Sequence, residues 1–540
     1  MDDSTPPTIN RLRLVPDQPV EGCELMPDVF LMNGVPAQNS WLEFHWYRST
    51  EKMACSWCGK TPVAMQRLTD NSYYCSVPCF VAAWPGHAAQ HRTGLTQRGP
   101  RADDAANADA VAWDNEQQQS ASTEQKWIQV ADTQSYTPSV DDVGHMLKLA
   151  CIPFSNDGTQ RGVAKTLRTS YVISPPPPPT PRRMVTVRNN VAVSLGKPGS
   201  ARTNSSRLGF TMLSYNVLAE IYATPDAYPY CAPWALPWNF RRRNILRELV
   251  GYQADVMCLQ EVQADHFENF LEPELAKFGY AGLYKQKTRE FMGAYGKMDG
   301  CAVFYRRDKF VVAPNGVNDI EFNSIARARH ASDKRTLNRL LKDNVAQIVM
   351  LEMSAPHPSS RRQVLIANTH INASPEFADV KLWQTQMLLV EVERVMAQLT
   401  GSTQQVPLCI AGDFNSLPGS DPHSLLANGG LQPQEDPHGL LAQLPLRHAF
   451  PLRSAMATVG AHVNASAESH ELQKMEPPYT NFTAHFVGTL DYLWYTMDRL
   501  SVGGVLEMVD DRQVHEHTAL PSPLFSSDHV PLLAEFHFKR

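Results

Sequence analysis

The stretch that most constrains this chain is 408–421, LCIAGDFNSLPGSD. An apolar run, 406–411, has the length and composition of a buried strand and stops at Gly412, where the chain turns and presents Asp413, Asn415 and Ser416. A buried strand is a rigid mount, and an Asp followed two residues later by an Asn can hold one metal-bound oxygen and position a second. Gly-Asp and Asn-Ser pairs also make ordinary turns, so the weight of GDFN depends on partners elsewhere. MLSYNVL (212–218) is apolar and aromatic up to Asn216, and ADVMCLQEV (254–262) ends at Glu261. VLIANTHI (364–371) ends at Asn368 and His370; TLDYLWY (489–495) carries Asp491; FSSDHVPLLAEF (525–536) opens on Asp528 and His529. Singly, each polar residue reads as a cap or a turn. In series they are more than a soluble core requires.

At 540 residues the chain has room for two or more domains with substantial cores. Its formal charge of −6 excludes a global basic field, so any nucleic-acid groove must be local. The N-terminus has no positive start followed by an apolar core, and no run approaches a spanning helix, which implies a non-secreted protein with no membrane partner. The ten cysteines are too dispersed for a disulfide framework. A cytoplasmic location is expected, including RNA granules, with a nuclear pool as the second expectation.

Residues 1–160 read as β-rich. SWLEFHWYRS alternates Leu42, Phe44 and Trp46 with polar neighbours, and the pattern resumes at 126–154. A Trp-Tyr-Arg strand, Tyr-x-Pro, Asp-x-Gly and a strand ending in Cys151 resemble an immunoglobulin-like sandwich, with Cys23 and Cys151 as buried thiols. The interruption at 50–92 carries Cys55-x-x-Cys58 and Cys75-x-x-x-Cys79, then His87 and His91 behind Trp84. Two chelating pairs at this separation can close a tetrahedral thiolate site, and so short a segment has little core without one. It resembles a MYND-type finger lacking two cysteines of the second site. We expect one structural Zn2+ on Cys55, Cys58, Cys75 and Cys79, with both histidines on a helix surface. Residues 93–125 read as a disordered loop. Residues 161–206, with Pro175–Pro179, read as a Pro-rich linker.

From 207 to 540 apolar strands alternate with helical stretches such as 240–252 and 378–399, an α/β pattern. Here the strand-end series resembles the endonuclease/exonuclease/phosphatase superfamily. SYNVLAEIYA, YCAPWALPWNFRRRNIL, CLQEVQADHFENF, YKQKTRE, MDGCAVFYRRDKF and DVKLWQTQMLL narrow the likeness to the carbon catabolite repressor type of poly(A) deadenylase, in its plant-type form with a finger in place of leucine-rich repeats. The resemblance implies a four-layered α/β sandwich, two packed mixed sheets with outer helices. It implies a Mg-dependent 3′-to-5′ exoribonuclease that shortens mRNA poly(A) tails and releases AMP. The implied partners are single-stranded poly(A) RNA and other subunits of the deadenylase complex, the latter met through the finger.

Phosphodiester cleavage needs charge neutralised at the phosphate, a water deprotonated and aligned, and the leaving oxygen stabilised. Carboxylates with amides suit Mg2+, of which two are expected. Glu261 is the candidate principal ligand, with Asn216 orienting the phosphate. Asp413 is a ligand or water activator, Asn415 holds water or phosphate, and Asp528 serves a second metal. His529, oriented by Asp491, and His370 act as donors, with the base role open between Asp413 and His529. The resemblance places Pro375 and Phe486 on either side of the terminal adenine, with Asn415 also reaching the base. Arg241, Arg242, Arg243, Arg327, Arg329, Lys334, Arg335 and Arg339 are candidates for a basic groove, with Arg242 and Arg335 read as solvated. Residues 461–476 read as a flexible insertion. Two alternatives remain: another phosphodiesterase or phosphatase of the superfamily, and a scaffold working through the finger and β domain.

Overall fold

A computed structural model describes residues 7–32, 42–54, 126–155, 158–188, 191–194, 208–288, 298–354, 362–401, 406–433, 444–463 and 475–539, with isolated positions in 56–83 and 436–441. The chain forms two compact units, Met1–Pro176 and Pro177–Arg540. The 93–125 loop, His87 and His91 lie outside the described residues, as do Cys55 and Cys75; Cys58 and Cys79 are described.

In the first unit, Trp127–Ala131, Leu42–Ser49, Met146–Pro153 and Lys165–Tyr171 form a four-stranded antiparallel sheet in that order. Ile9–Val15 pairs with Met26–Leu31. The two-residue repeat sends Phe44 and Trp46 inward with Leu147, Leu149 and Cys151. The Trp46 ring stacks on Tyr136 at 5.5 Å, and its Nε1 donates to the Thr133 carbonyl at 2.9 Å. Burial pushes the Cys151 thiol up to about 12, consistent with a packing residue.

The linker expected at 161–206 is shorter than the composition suggests. Lys165–Tyr171 is an edge strand of this sheet, and Met184–Arg188 and Val191–Ser194 are strands of the second unit. Among the described residues, 174–183, which holds the proline run, is the longest stretch of this segment without strand character. Composition misleads because KTLRTSY looks polar by itself; its pairing comes from Met146–Pro153, outside the segment.

In the second unit an eight-stranded mixed sheet runs Val191–Ser194, Met184–Arg188, Leu500–Leu506, Leu532–Phe538, Gly209–Asn216, Val256–Gln263, Asp299–Arg306, Tyr280–Gln286. A six-stranded one runs Phe310–Glu321, Val345–Met353, Gln363–His370, Leu408–Asp413, Asp491–Thr496, Leu452–Ser454. Alternation decides the layers. Met212, Val256 and Cys258 pack against Val364, Ile366 and Cys409 of the facing sheet, whereas Leu213, Met257 and Leu259 face helix Trp238–Tyr252. Ile348, Leu365 and Ile410 meet the 23-residue helix Ala378–Thr400 on the other side. Both faces of each central strand are covered, which is why these strands read as continuous apolar runs.

Two buried amides fasten the sheets together. Asn368 Nδ2 donates to the Leu259 and Ala302 carbonyls at 3.0 and 2.9 Å, and its Oδ1 accepts from Gln260 Nε2 at 2.8 Å. Asn368 is therefore a clamp within the core and not a group of the cleft. The insertion read as flexible at 461–476 is anchored at both ends. Residues up to 463 belong to helix Ala455–Val463, and Glu476 is buried, accepting from Ser454 Oγ at 2.9 Å; 464–474 lie outside the described residues.

Candidate active site

The polar groups converge where strands of both sheets end. In the six-stranded sheet His370 lies opposite Asp413, and Asp413 opposite Asp491, one residue from each of three neighbouring strands. Gly412 makes this row possible. A Cβ there would stand 2.1 Å from the Thr369 carbonyl oxygen, so only glycine lets the strand approach. In the eight-stranded sheet the register slips between Leu259 and Val262, and Glu261 sits in that bulge with φ 56°. The bulge re-aims its side chain.

Asn216 joins the two rows. Its Nδ2 donates to Glu261 Oε1 at 3.0 Å and to Asp413 Oδ2 at 3.1 Å, and its Oδ1 accepts from the Leu218 amide at 3.0 Å. The Ala219 amide donates to Glu261 Oε2 at 2.9 Å. His529 Nδ1 lies 2.7 Å from Asp491 Oδ2, and its Nε2 points at Asp413 Oδ2 from 3.6 Å. His370 Nε2 is also 3.6 Å from that oxygen. Asp528 Oδ2 accepts from Tyr228 OH at 2.9 Å and Asn481 Nδ2 at 3.1 Å. The Asn415 amide donates to Asp413 Oδ1 at 2.9 Å.

Crowded acids in a poorly solvated cleft set the electrostatics. Burial, then Asp299 and Asp528, push Glu261 up to about 7. Burial and Asp491 raise Asp413, against the pull of His529 and His370. Burial alone would depress His529, but Asp491, Asp528 and Asp413 outweigh it and hold the imidazolium well above its ordinary value. Burial and Lys287 bring His370 down to about 3, so this imidazole is neutral. One imidazole is thus a cation and the other a neutral donor or acceptor. Asp413, Asp491 and His529 present donor atoms within 4.8 Å of one another. His529 takes only Oδ2 of Asp491 in that trio, and Asp491 Oδ1 is left buried without a hydrogen-bond partner among the described residues.

Several participants had no role assigned from sequence. Lys287 Nζ sits 2.6 Å from Asp299 Oδ2, which also takes part in raising Glu261, and Tyr222 OH donates to Asp299 Oδ1 at 3.0 Å. Lys287 and Asp299 belong to the stretches YKQKTRE and MDGCAVFYRRDKF, and Asp299 opens its strand at the same end as the other acids, which was the available signal. Buried Lys381 donates to the Asn415 carbonyl at 2.8 Å. Tyr228 and Asn481 were silent in sequence because nothing local marks them.

Of the proposed base contacts, Asn415 touches Asp413, while Pro375 and Phe486 lie at the surface. Pro375 is exposed at the start of the turn Pro375–Phe377. Phe486 is 37 % exposed and Leu417 46 %; both approach Gly488. The basic groove needs correction at Arg241. It is fully buried and donates to the carbonyls of Leu236, Val217, Leu218 and Ser526 at 2.7–3.1 Å, pinning the loop after Asn216. Arg339 is likewise engaged, bidentate on Asp379 at 2.6 and 2.8 Å. The sequence of a helix does not say which arginine its tertiary neighbours will cover.

The Endonuclease/Exonuclease/phosphatase family pattern matches residues 213–529. The carbon catabolite repressor protein 4 homolog 1 of Arabidopsis thaliana is 36 % identical over 98 % of this chain and 98 % of its own length. The CCR4-Not complex 3′-5′-exoribonuclease subunit Ccr4 of Yarrowia lipolytica is 34 % identical over 61 % of this chain and 48 % of its own. Among solved structures, ANGEL2, a 2′,3′-cyclic phosphatase, is similar with a TM-score of 0.50 and 28 % identity, over 66 % of this chain and 98 % of that one.

Proposed function

The chain belongs to the carbon catabolite repressor group of the endonuclease/exonuclease/phosphatase family, and from that premise we propose that it is a 3′-to-5′ exoribonuclease that removes mRNA poly(A) tails from their ends as AMP. The observation that carries the reading is Asn216 bonded at once to Glu261 and Asp413, beside the Asp491–His529 pair.

Oxygen ligands in this pattern fit Mg2+, and the site has a reason to accept it. Five acids, Glu261, Asp299, Asp413, Asp491 and Asp528, gather there, and Asp491 Oδ1 is buried with no hydrogen-bond partner among the described residues. Glu261 would hold one ion, and Asp413 with Asp528 a second; bound Mg2+ neutralises phosphate charge and lowers the pKa of water. The chain's own groups do the rest. Imidazolium His529, fixed by Asp491, donates to a phosphate oxygen. Asp413, made more basic by burial and Asp491, accepts the proton of the attacking water. Neutral His370 donates to the developing charge, and Asn216 and Asn415 orient the phosphate. Phe486 and Pro375 would hold the terminal adenine, stacking being worth about 1–3 kcal/mol and tolerant of base identity.

Purified full-length protein with Mg2+ should shorten an A-tailed RNA faster than equal-length U- or C-tailed RNAs, and Glu261→Ala should abolish it. Equal rates for the two proteins would end the proposal. Likeness to ANGEL2 supports a second reading, action on RNA ending in a 2′,3′-cyclic phosphate. Offering that end beside a free 3′-hydroxyl separates the two.

For the first unit, we propose an immunoglobulin-like β domain and one Zn2+ on Cys55, Cys58, Cys75 and Cys79. Its finger would dock another deadenylase subunit, in the cytoplasm and in a smaller nuclear pool. Two zincs per chain by atomic absorption, or partner capture unchanged by a chelator, would overturn those assignments. No described helix is long and apolar enough to cross a membrane.

A further inference from the structure

The outward face of the first unit's four-stranded sheet carries chemistry that the cleft does not use. Side chains alternate across a sheet, so the surface opposite the Phe44–Trp46 core displays Tyr47, Lys148 and Arg168, with Trp127 on the edge strand. Lys148 Nζ lies 4.6 Å from the Tyr47 ring centroid and 4.8 Å from that of Trp127; the Arg168 guanidinium lies 5.7 Å from Trp127. Arg168 is exposed, and the other three are partly so.

Lys148 and Arg168 stand directly opposite across the ladder. Like charges in that position repel, and burial together with Arg168 holds Lys148 below the usual lysine range. Among the described residues neither is ion-paired with a carboxylate. The one carboxylate further along this face, Glu43, lies 3.3 Å from His45 and not against the two cations, which have two aromatic rings beside the place where an anion would lie.

We infer that this face is a second contact surface for single-stranded RNA, with bases stacking on Trp127 and Tyr47 and backbone phosphates taken by Lys148 and Arg168. An acidic peptide would satisfy the cations and leave the rings unused. A single-stranded nucleic acid alternates π-faces with phosphates, which matches rings interleaved with cations. The inference rests on the reading of RNA as substrate. It adds a site that would retain the body of a tail while the second unit's reacting groups work at the end.

The test uses the full chain and a fluorescein-labelled twenty-nucleotide poly(A) RNA, with anisotropy read from 50 to 200 mM KCl in a Glu261→Gln background that stops turnover. Lys148→Gln with Arg168→Gln should weaken binding about tenfold and lower the slope of log affinity on log salt by about 1.4, near 0.7 for each phosphate no longer neutralised. Trp127→Ala should weaken binding with the slope preserved, and Trp127→Phe should restore it. In the active background the double variant should raise KM for a long tail without changing kcat, and turnover of a four-nucleotide A oligomer should stay at the unsubstituted rate. Matching thermal unfolding midpoints check the fold. Affinity and slope equal to those of the unsubstituted protein would overturn the inference. If the short oligomer is not cut even by the unsubstituted enzyme, the catalytic reading fails, while the binding measurements still judge this surface.

Discussion

Replacing Asp491 by Asn isolates one charge at nearly constant shape. His529 and Asp491 are 6 % and 2 % exposed, and their bond of 2.7 Å is charge-assisted. Such a bond is worth about 1.5–3 kcal/mol, so its loss from the transition state should lower kcat by about 10- to 150-fold at pH 7.5. Without Asp491, burial is opposed only by Asp528 and Asp413, so the imidazolium is held less firmly and the rate should recover partly as pH falls toward 6. The stability signs follow. His529 is held above its unfolded value, so its charge adds stability that is complete below about pH 6.5 and is lost as pH rises through the folded value. In Asp491→Asn the folded value drops, so the stability that His529 adds at low pH should shrink. Single-turnover digestion of 5′-labelled A-tailed RNA at saturating Mg2+ from pH 5.5 to 8.5, with thermal melts in the same buffers, reads both effects. A variant with the wild-type rate at pH 8 and an unchanged pH profile would refute the argument.

Glu261 titrates near 7 in the folded chain, well above an unfolded glutamate, so without divalent cations stability should fall as pH rises from about 4.5 to 7. Added Mg2+ should flatten that fall and raise the melting temperature, and Glu261→Gln should remove most of both responses, as calorimetry with and without EDTA would record. Asn368→Ala removes the side-chain donor from two buried carbonyls and the shortest of the Gln260 amide's bonds and should cost about 3 kcal/mol by urea unfolding; a loss under about 0.5 kcal/mol would deny the clamp. Phe486→Ala should raise KM for A-tailed RNA about tenfold with kcat little changed, since stacking binds ground and transition states alike. Arg241→Lys cannot reproduce four carbonyl contacts, so it should lower the melting temperature by several degrees even though the charge is kept.

What could be read from the chain divides along a physical line. Apolar runs and the residues that end them are local, so the sheet cores and the positions of Asn216, Glu261, His370, Asp413, Asp491 and Asp528-His529 were legible. What a polar residue meets is not local. Asn368 and His370 stand two apart at one strand end, yet one faces the opposing sheet's carbonyls and the other faces Asp413. Arg241 looked like its neighbours Arg242 and Arg243 and is the one enclosed by backbone carbonyls of distant loops. Lys287 and Asp299 enter only through a pairing that closes when Asp299–Arg306 meets Tyr280–Gln286.

The cleft and the clamp share the same strands, and that arrangement answers a difficulty posed by the acids. Carboxylates as close as Glu261, Asp299, Asp413 and Asp528 push one another apart unless a cation enters, and Lys287 and His529 offset only part of that charge. The two rows belong to different sheets, so repulsion would be relieved by separating the sheets at this end. Gln260 and Asn368 bond across the interface from the residue before Glu261 and the second residue before His370. Their directional bonds resist displacements that apolar packing between Val256, Cys258, Ile366 and Cys409 would tolerate. The fold thus keeps the carboxylates at a spacing their own charges oppose, which preserves their demand for divalent cations and keeps Asn216 within reach of both rows.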